Sequence, residues 1–169
     1  MTTKEILCYP DPGLKQVSTE VECFDDALLQ VIQDLEDTMA VGPGAVGIAA
    51  PQIGEPIRAI IVDVSRRKKI THHGHLVLIN PEITAWEGLK TGREGCLSVP
   101  DYTGNVVRAE RISLSAFDQY GKNLLFEMNG YEARAIQHEL DHLDGLLFLD
   151  RLVSRRNDLF QRKKKTNNE

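Results

Sequence analysis

The sequence predicts an α+β fold in which mostly antiparallel strands pack around a central helix, with a further helix near each end. Three observations carry that prediction. Residues 27–39 and 131–143 repeat apolar side chains at helical spacing, short strand-like segments lie between them, with period-two alternation at 111–117, and 169 residues is near the usual size for one core. The chain is therefore read as a single domain, 1–169.

The elements follow in order. Asp25 and Asp26 can cap a helix whose Ala27, Leu28, Val31, Ile32, Leu35 and Met39 share one face, and Gly42-Pro43-Gly44 ends it. Strands are expected at 58–64, 75–80, 111–117 and 123–128; in the third, Ile112, Leu114 and Ala116 alternate with polar neighbours. The central helix spans about 131–143, where Ala133, Ala135, Ile136, Leu140 and Leu143 form an apolar stripe and Gly145 supplies the stop. A basic C-terminal helix is expected at about 152–165, its Leu152, Val153, Leu159 and Phe160 docked among Arg151, Arg155, Arg156, Arg162 and Lys163-Lys164-Lys165.

Charge and cysteine usage narrow the function classes. Residues 1–150 hold 13 basic and 23 acidic side chains, whereas 151–169 hold 7 and 2, so an acidic body ends in a basic tail. No apolar run approaches the roughly 20 residues that cross a bilayer, which argues against a membrane protein. Met1-Thr2-Thr3-Lys4-Glu5 lacks an apolar signal core, and Cys8, Cys23 and Cys96 form no even disulfide framework. A reducing cytoplasm is the expected location, and nothing points to DNA.

His138-Glu139-Leu140-Asp141-His142 is the most informative segment. Two histidines four apart on a helix stand one above the other, with Cβ atoms roughly 5–6 Å apart, so both imidazoles reach one cation. Glu139 projects about 100° around the helix from His138, where it suits a water beside the metal better than the metal itself. Either these are solvated polar residues or the helix carries a metal; the apolar stripe favours the second, because buried unpaired charge is costly.

A catalytic site of this kind takes three protein ligands and keeps one position open. Downstream candidates fail: Phe148 stands where the long zinc-peptidase signature has a further His, and the only later glutamate is the terminal Glu169. Upstream, Cys96 in Glu94-Gly95-Cys96-Leu97-Ser98 reads as a thiolate on a turn near a strand end, or else as an ordinary buried thiol. A metallopeptidase of the H-E-x-x-H type and a closed structural metal module stay open as alternatives.

Three segments together, Ala45-Val46-Gly47-Ile48-Ala49-Ala50-Pro51-Gln52, Glu94-Gly95-Cys96-Leu97-Ser98 and Gln137-His138-Glu139-Leu140-Asp141-His142, resemble in order and approximate spacing the motifs of bacterial peptide deformylases. Tyr9-Pro10-Asp11-Pro12, Arg108-Ala109-Glu110 and Asp144-Gly145 extend the resemblance over most of the chain. Ala45 departs from it, since that motif usually begins with Gly. The resemblance implies a metal-dependent hydrolase that removes the N-formyl group from N-terminal formylmethionine of nascent polypeptides and releases formate. It implies Cys96, His138 and His142 as ligands of one divalent metal ion, with Fe2+ physiological and Zn2+ or Ni2+ in purified protein.

A formamide is a poor electrophile and neutral water a poor nucleophile; a divalent metal answers both by lowering the pKa of its water to about 7 and polarising the formyl oxygen. Glu139 is the expected base, passing the proton on to the departing amine. The resemblance assigns two donors to the developing oxyanion, the Gln52 side-chain amide and the Leu97 backbone N–H, each worth about 3–4 kcal/mol in such sites. Val46 and Ala135 are implied in the methionine pocket, and the small residues around Gly47 let an extended peptide approach as an added strand. Glu94 is implied to steady the cysteine turn by pairing with Arg108. The same resemblance implies contact between the basic C-terminal helix and the ribosome. His72, His73 and His75, around Gly74, are expected on a solvated hairpin.

Overall fold

The structure, a computed structural model, describes residues 2–163. Asp25 caps the first helix by accepting the Leu28 N–H at 3.0 Å, and that helix, α1, runs Asp26–Val41. Six strands follow among the described residues: β1 (Gly47–Ala49), β2 (Ala59–Asp63), β3 (His75–Cys96), β4 (Val99–Phe117), β5 (Asn123–Asn129) and β6 (Leu159–Gln161). They form one antiparallel sheet in the order β1-β2-β3-β4-β5, with β6 added on β4.

The period-two pattern of β2 divides the core. Ala59 and Ile61 face α1 and pack with Leu28, Ile32, Leu35, Ile48 and Ile79. Ile60 and Val62 face the opposite way, joining Leu78, Ile112, Leu114 and Met128 beneath the second helix, α2 (Gly130–Leu143), which contributes Ala133, Ile136, Leu140 and Leu143. Each such aliphatic side chain, fully buried, is worth about 1.5–3 kcal/mol, so the two layers clamp the sheet from both faces. Gly145 ends α2 at φ +76°, and a Cβ there would lie 2.3 Å from the Lys15 carbonyl oxygen. Only glycine fits that turn.

Two expectations change in extent. The strands expected at 75–80 and 111–117 are the inner parts of a much longer hairpin of 22 and 19 residues, bent by register shifts at Ile79/Glu82, Ile83/Ala85 and Gly95/Cys96. It closes through Leu97 and Ser98, since Cys96 pairs with Val99. The C-terminal helix expected over 152–165 is a single turn, α3 (Arg155–Asp158), capped by Ser154. After it the chain extends as β6 on the hairpin, with Gly104 opposite Leu159 and Thr103 opposite Phe160. Lys164 and Lys165 lie outside the described residues. Among the described residues no helix is long and apolar enough to cross a membrane.

Candidate metal centre

The hairpin end and α2 meet where Leu14, Val99, Val106, Leu147 and Phe148 bury Cys96. One donor atom each from Cys96, His138 and His142 lies within 4.8 Å of the others, and all three residues are buried. Cys96 Sγ is 3.3 Å from His142 Nε2. Two ligands of one tetrahedral zinc, at about 2.3 Å for sulfur and 2.0–2.1 Å for nitrogen, stand about 3.5 Å apart, so the spacing suits a shared cation. The imidazole rings stand 5.1 Å apart, as one turn of α2 dictates.

Orientation comes from the residues behind the candidate ligands. His138 Nδ1 donates to Glu94 Oε1 at 2.8 Å, which leaves Nε2 to face the sulfur. Glu94 in turn accepts from Arg108 Nε at 3.0 Å and Nη2 at 2.9 Å, a two-pronged pair, and from Arg134 Nη1 at 2.7 Å. Arg108 is itself buried between Glu94 and Asp141, and Asp141 also holds Arg151 Nη2 at 3.0 Å. The result is an alternating chain of charges, Arg134, Glu94, Arg108, Asp141 and Arg151, braced across the back of the site.

Charge states follow from that setting. Burial pushes the Cys96 thiol up, but His142 and His138 outweigh it, and the thiol is held well below its ordinary range. His138 moves the other way: burial lowers it, the Cys96 and Glu94 contacts more than offset this, and it sits well above the ordinary imidazole value. A thiolate lying against imidazole nitrogens is the donor set that soft and borderline divalent cations select. Glu139 is buried beside them, and burial, partly offset by His138 and His142, raises its carboxyl above the ordinary value. Its Oε2 has no hydrogen-bond partner among the described residues. A buried carboxylate oxygen left unpaired next to three candidate ligand atoms suits a solvent molecule or substrate group.

A cavity of about 640 Å³ opens in front of this group and is lined by Val46, Gly47, Gln52, Leu97, Ala135, His138 and Glu139 among others. Gly47 has a steric part: a Cβ there would lie 2.7 Å from Glu139 Oε1, so the missing side chain is what lets the carboxylate sit where it does. Gln52 is on the single 3-10 turn Ala50–Ile53 after β1. Its Oε1 accepts the Ala49 N–H at 2.9 Å, and its Nε2 lies 3.0 Å from Ser98 Oγ and 3.7 Å from Cys96 Sγ. The amide nitrogen is thereby turned toward the sulfur. Ala45 carries an ordinary backbone, since among the described residues the non-glycine residues of positive φ are Lys69 and Asn80.

Three partners escaped the sequence reading. Arg134 precedes His138 by four residues, the one-turn spacing on α2 that would have singled it out. The Asp141 pairing with Arg108 and Arg151 and the Ser98 contact with Gln52 are tertiary and leave no local pattern. The three other histidines gather no metal-ligand group among the described residues. His73 Nδ1 and backbone N–H both bond Glu132 at the start of α2, and His75 reaches Glu36.

Fold and site together define a candidate metallohydrolase, with two ligands on a helix, a third on a hairpin and a buried carboxylate beside a cavity. Comparison with known proteins makes the assignment specific. Residues 3–158 match the family model described as polypeptide deformylase. The peptide deformylase of Syntrophobacter fumaroxidans is 43% identical over 163 residues, covering 96% of this chain and 94% of that protein. Peptide deformylase 1 of Bacillus subtilis is 41% identical over 152 residues, covering 90% and 91%. Among solved structures, a peptide deformylase from Legionella pneumophila superposes with a TM-score of 0.82 at 42% identity, covering 89% of this chain and 86% of that one. One from Ehrlichia chaffeensis in complex with actinonin gives 0.85 at 33% identity, covering 92% and 91%. The chain belongs to the polypeptide deformylase family.

Proposed function

We infer that this chain is a deformylase acting on N-formylmethionyl nascent peptides, cleaving the formamide to formate and a free amino terminus. The observation that carries the reading is the convergence of Cys96, His138 and His142 beside an otherwise unpaired Glu139 at the floor of an open cavity. These three residues are the proposed ligands of one divalent ion. Fe2+ is the proposed physiological ion, with Zn2+ or Ni2+ as substitutes, because a thiolate and two imidazoles suit each of them. When bound, the ion supplies Lewis acidity at the formyl oxygen and acidity to the attacking water.

The remaining work belongs to the protein. Glu139, with its raised pKa, takes the proton of the attacking water and returns it to the leaving amine. The Gln52 amide and the Leu97 N–H are the proposed donors to the oxygen that gains negative charge. β1 lies at the sheet edge, with β2 as its one neighbour in the strand order, and its first residue Gly47 lines the cavity with Val46. An extended peptide can pair there while the methionine side chain enters between Val46 and Ala135.

A closed structural site would need a fourth ligand, and none joins the group among the described residues. The proposed location is the cytoplasm. Ribosome association is proposed through the exposed Arg155 and Arg156, and sedimentation with ribosomes at low salt tests it by Arg155→Glu/Arg156→Glu. Formate release tests the main reading: formyl-Met-Ala should be hydrolysed and acetyl-Met-Ala and internal peptide bonds spared. Glu139→Gln should lower the rate by about 10²–10⁴ with metal content unchanged. Cleavage of internal bonds at comparable rate would favour a peptidase.

A further inference from the structure

The chain's return after α3 brings a new group to the cavity. β6 pairs with 102–104 of the hairpin, and the next residue, Arg162, donates its backbone N–H to the Asp101 carbonyl at 2.8 Å. Its guanidinium lines the cavity and lies on the backbone of Gly95, the residue before Cys96. A Cβ at Gly95 would stand 2.3 Å from Arg162 Nη2, so the glycine makes room for the cation. Arg93 lines the same wall; it is stacked 3.6 Å over the Phe160 ring of β6 and bonded to Asn105 Oδ1 and Thr103 Oγ1.

These two arginines differ from their neighbour Arg134, whose charge is taken up by Glu94. Arg93 has neutral partners, and among the described residues neither Arg93 nor Arg162 stands within ion-pair distance of a carboxylate. Two cations without a carboxylate partner among the described residues therefore border the cavity of a chain whose net charge is −5. A formylated peptide brings no ammonium group to this end of the site. The anions it can bring are an aspartate or glutamate side chain further along and, in a short peptide, the terminal carboxylate.

We propose that Arg162, supported by Arg93, is a specificity-determining residue that binds the carboxylate of an acidic residue within the first three positions after the formylmethionine. The proposal rests on the deformylase reading. Charge-assisted contacts of guanidinium with carboxylate are about twice as strong as neutral ones, and at a solvent-facing rim their effect is screened by salt.

The test compares kcat/KM for C-terminally amidated formyl-Met peptides carrying Glu, Gln or Lys at each of those three positions, at low and high salt. Wild type should prefer Glu over Gln by about fivefold at one position, mainly through KM, and lose the preference as salt rises. Arg162→Glu, with its fold verified by circular dichroism, should invert the order at that position toward Lys. Equal rates for Glu and Gln at every position, or a preference unchanged in Arg162→Glu, would overturn the proposal. Failure of the deformylase reading looks different: no formate would appear from any peptide, and both claims would fall.

Discussion

The carboxylate of Glu94 receives the His138 Nδ1–H at 2.8 Å while two arginines grip its other edges, Arg108 from the hairpin and Arg134 from α2. One buried anion thus sets the tautomer of a candidate ligand and ties the strand that carries Cys96 to the helix that carries both histidines. Glu94→Gln keeps the shape but removes the charge. Metal affinity should fall roughly 10–100-fold, as for other losses behind a ligand histidine. The thermal midpoint should drop as well, because Arg108 keeps only Asp141. Competition with a metal chelator and thermal unfolding check the two effects.

Gly47 gives a sharper steric case. Gly47→Ala places a methyl against Glu139 Oε1, and the carboxylate must shift although no reacting group has been removed. The expected outcome is a fall in kcat of about tenfold or more with metal content retained, since misplacement by about 1 Å can cost 10²-fold. Steady-state kinetics together with metal analysis would show it; unchanged kcat would mean that Glu139 has more freedom than its packing shows.

Acid should undo the same network. Burial raises the Glu94 carboxyl, yet His138 and Arg108 hold it well below its ordinary value near 4.5. A depressed folded-state pKa contributes stability that is present above the unfolded value and is lost as pH falls through the folded one. Metal-free protein should therefore lose on the order of a few kcal/mol below about pH 4.5. Urea midpoints measured across that range check it, and Glu94→Gln should flatten the slope.

What could be read from the chain depended on how local the signal was. α1 and α2 were legible because their apolar stripes recur at helical spacing and because Asp25 and Gly145 mark ends by local chemistry. The outer half of the long hairpin was not, because both faces of β3 between Glu82 and Arg93 are largely exposed and carry no period-two apolar pattern. In the C-terminal segment, Leu152, Val153, Leu159 and Phe160 mimic a helical stripe. Leu159 and Phe160 instead find partners across the sheet at Gly104, Thr103 and Arg93. The candidate ligands lay in short motifs, whereas Asp141 with Arg151 and Ser98 with Gln52 meet only through the fold.

X-ray absorption at the zinc edge of reconstituted protein reads out whether Cys96, His138 and His142 share one ion. One sulfur at about 2.3 Å, two imidazole nitrogens at about 2.0–2.1 Å and one light solvent atom per zinc are expected, with the sulfur lost in Cys96→Ser. A spectrum without sulfur, or one filled by a fourth protein ligand, would rule out this open three-ligand centre.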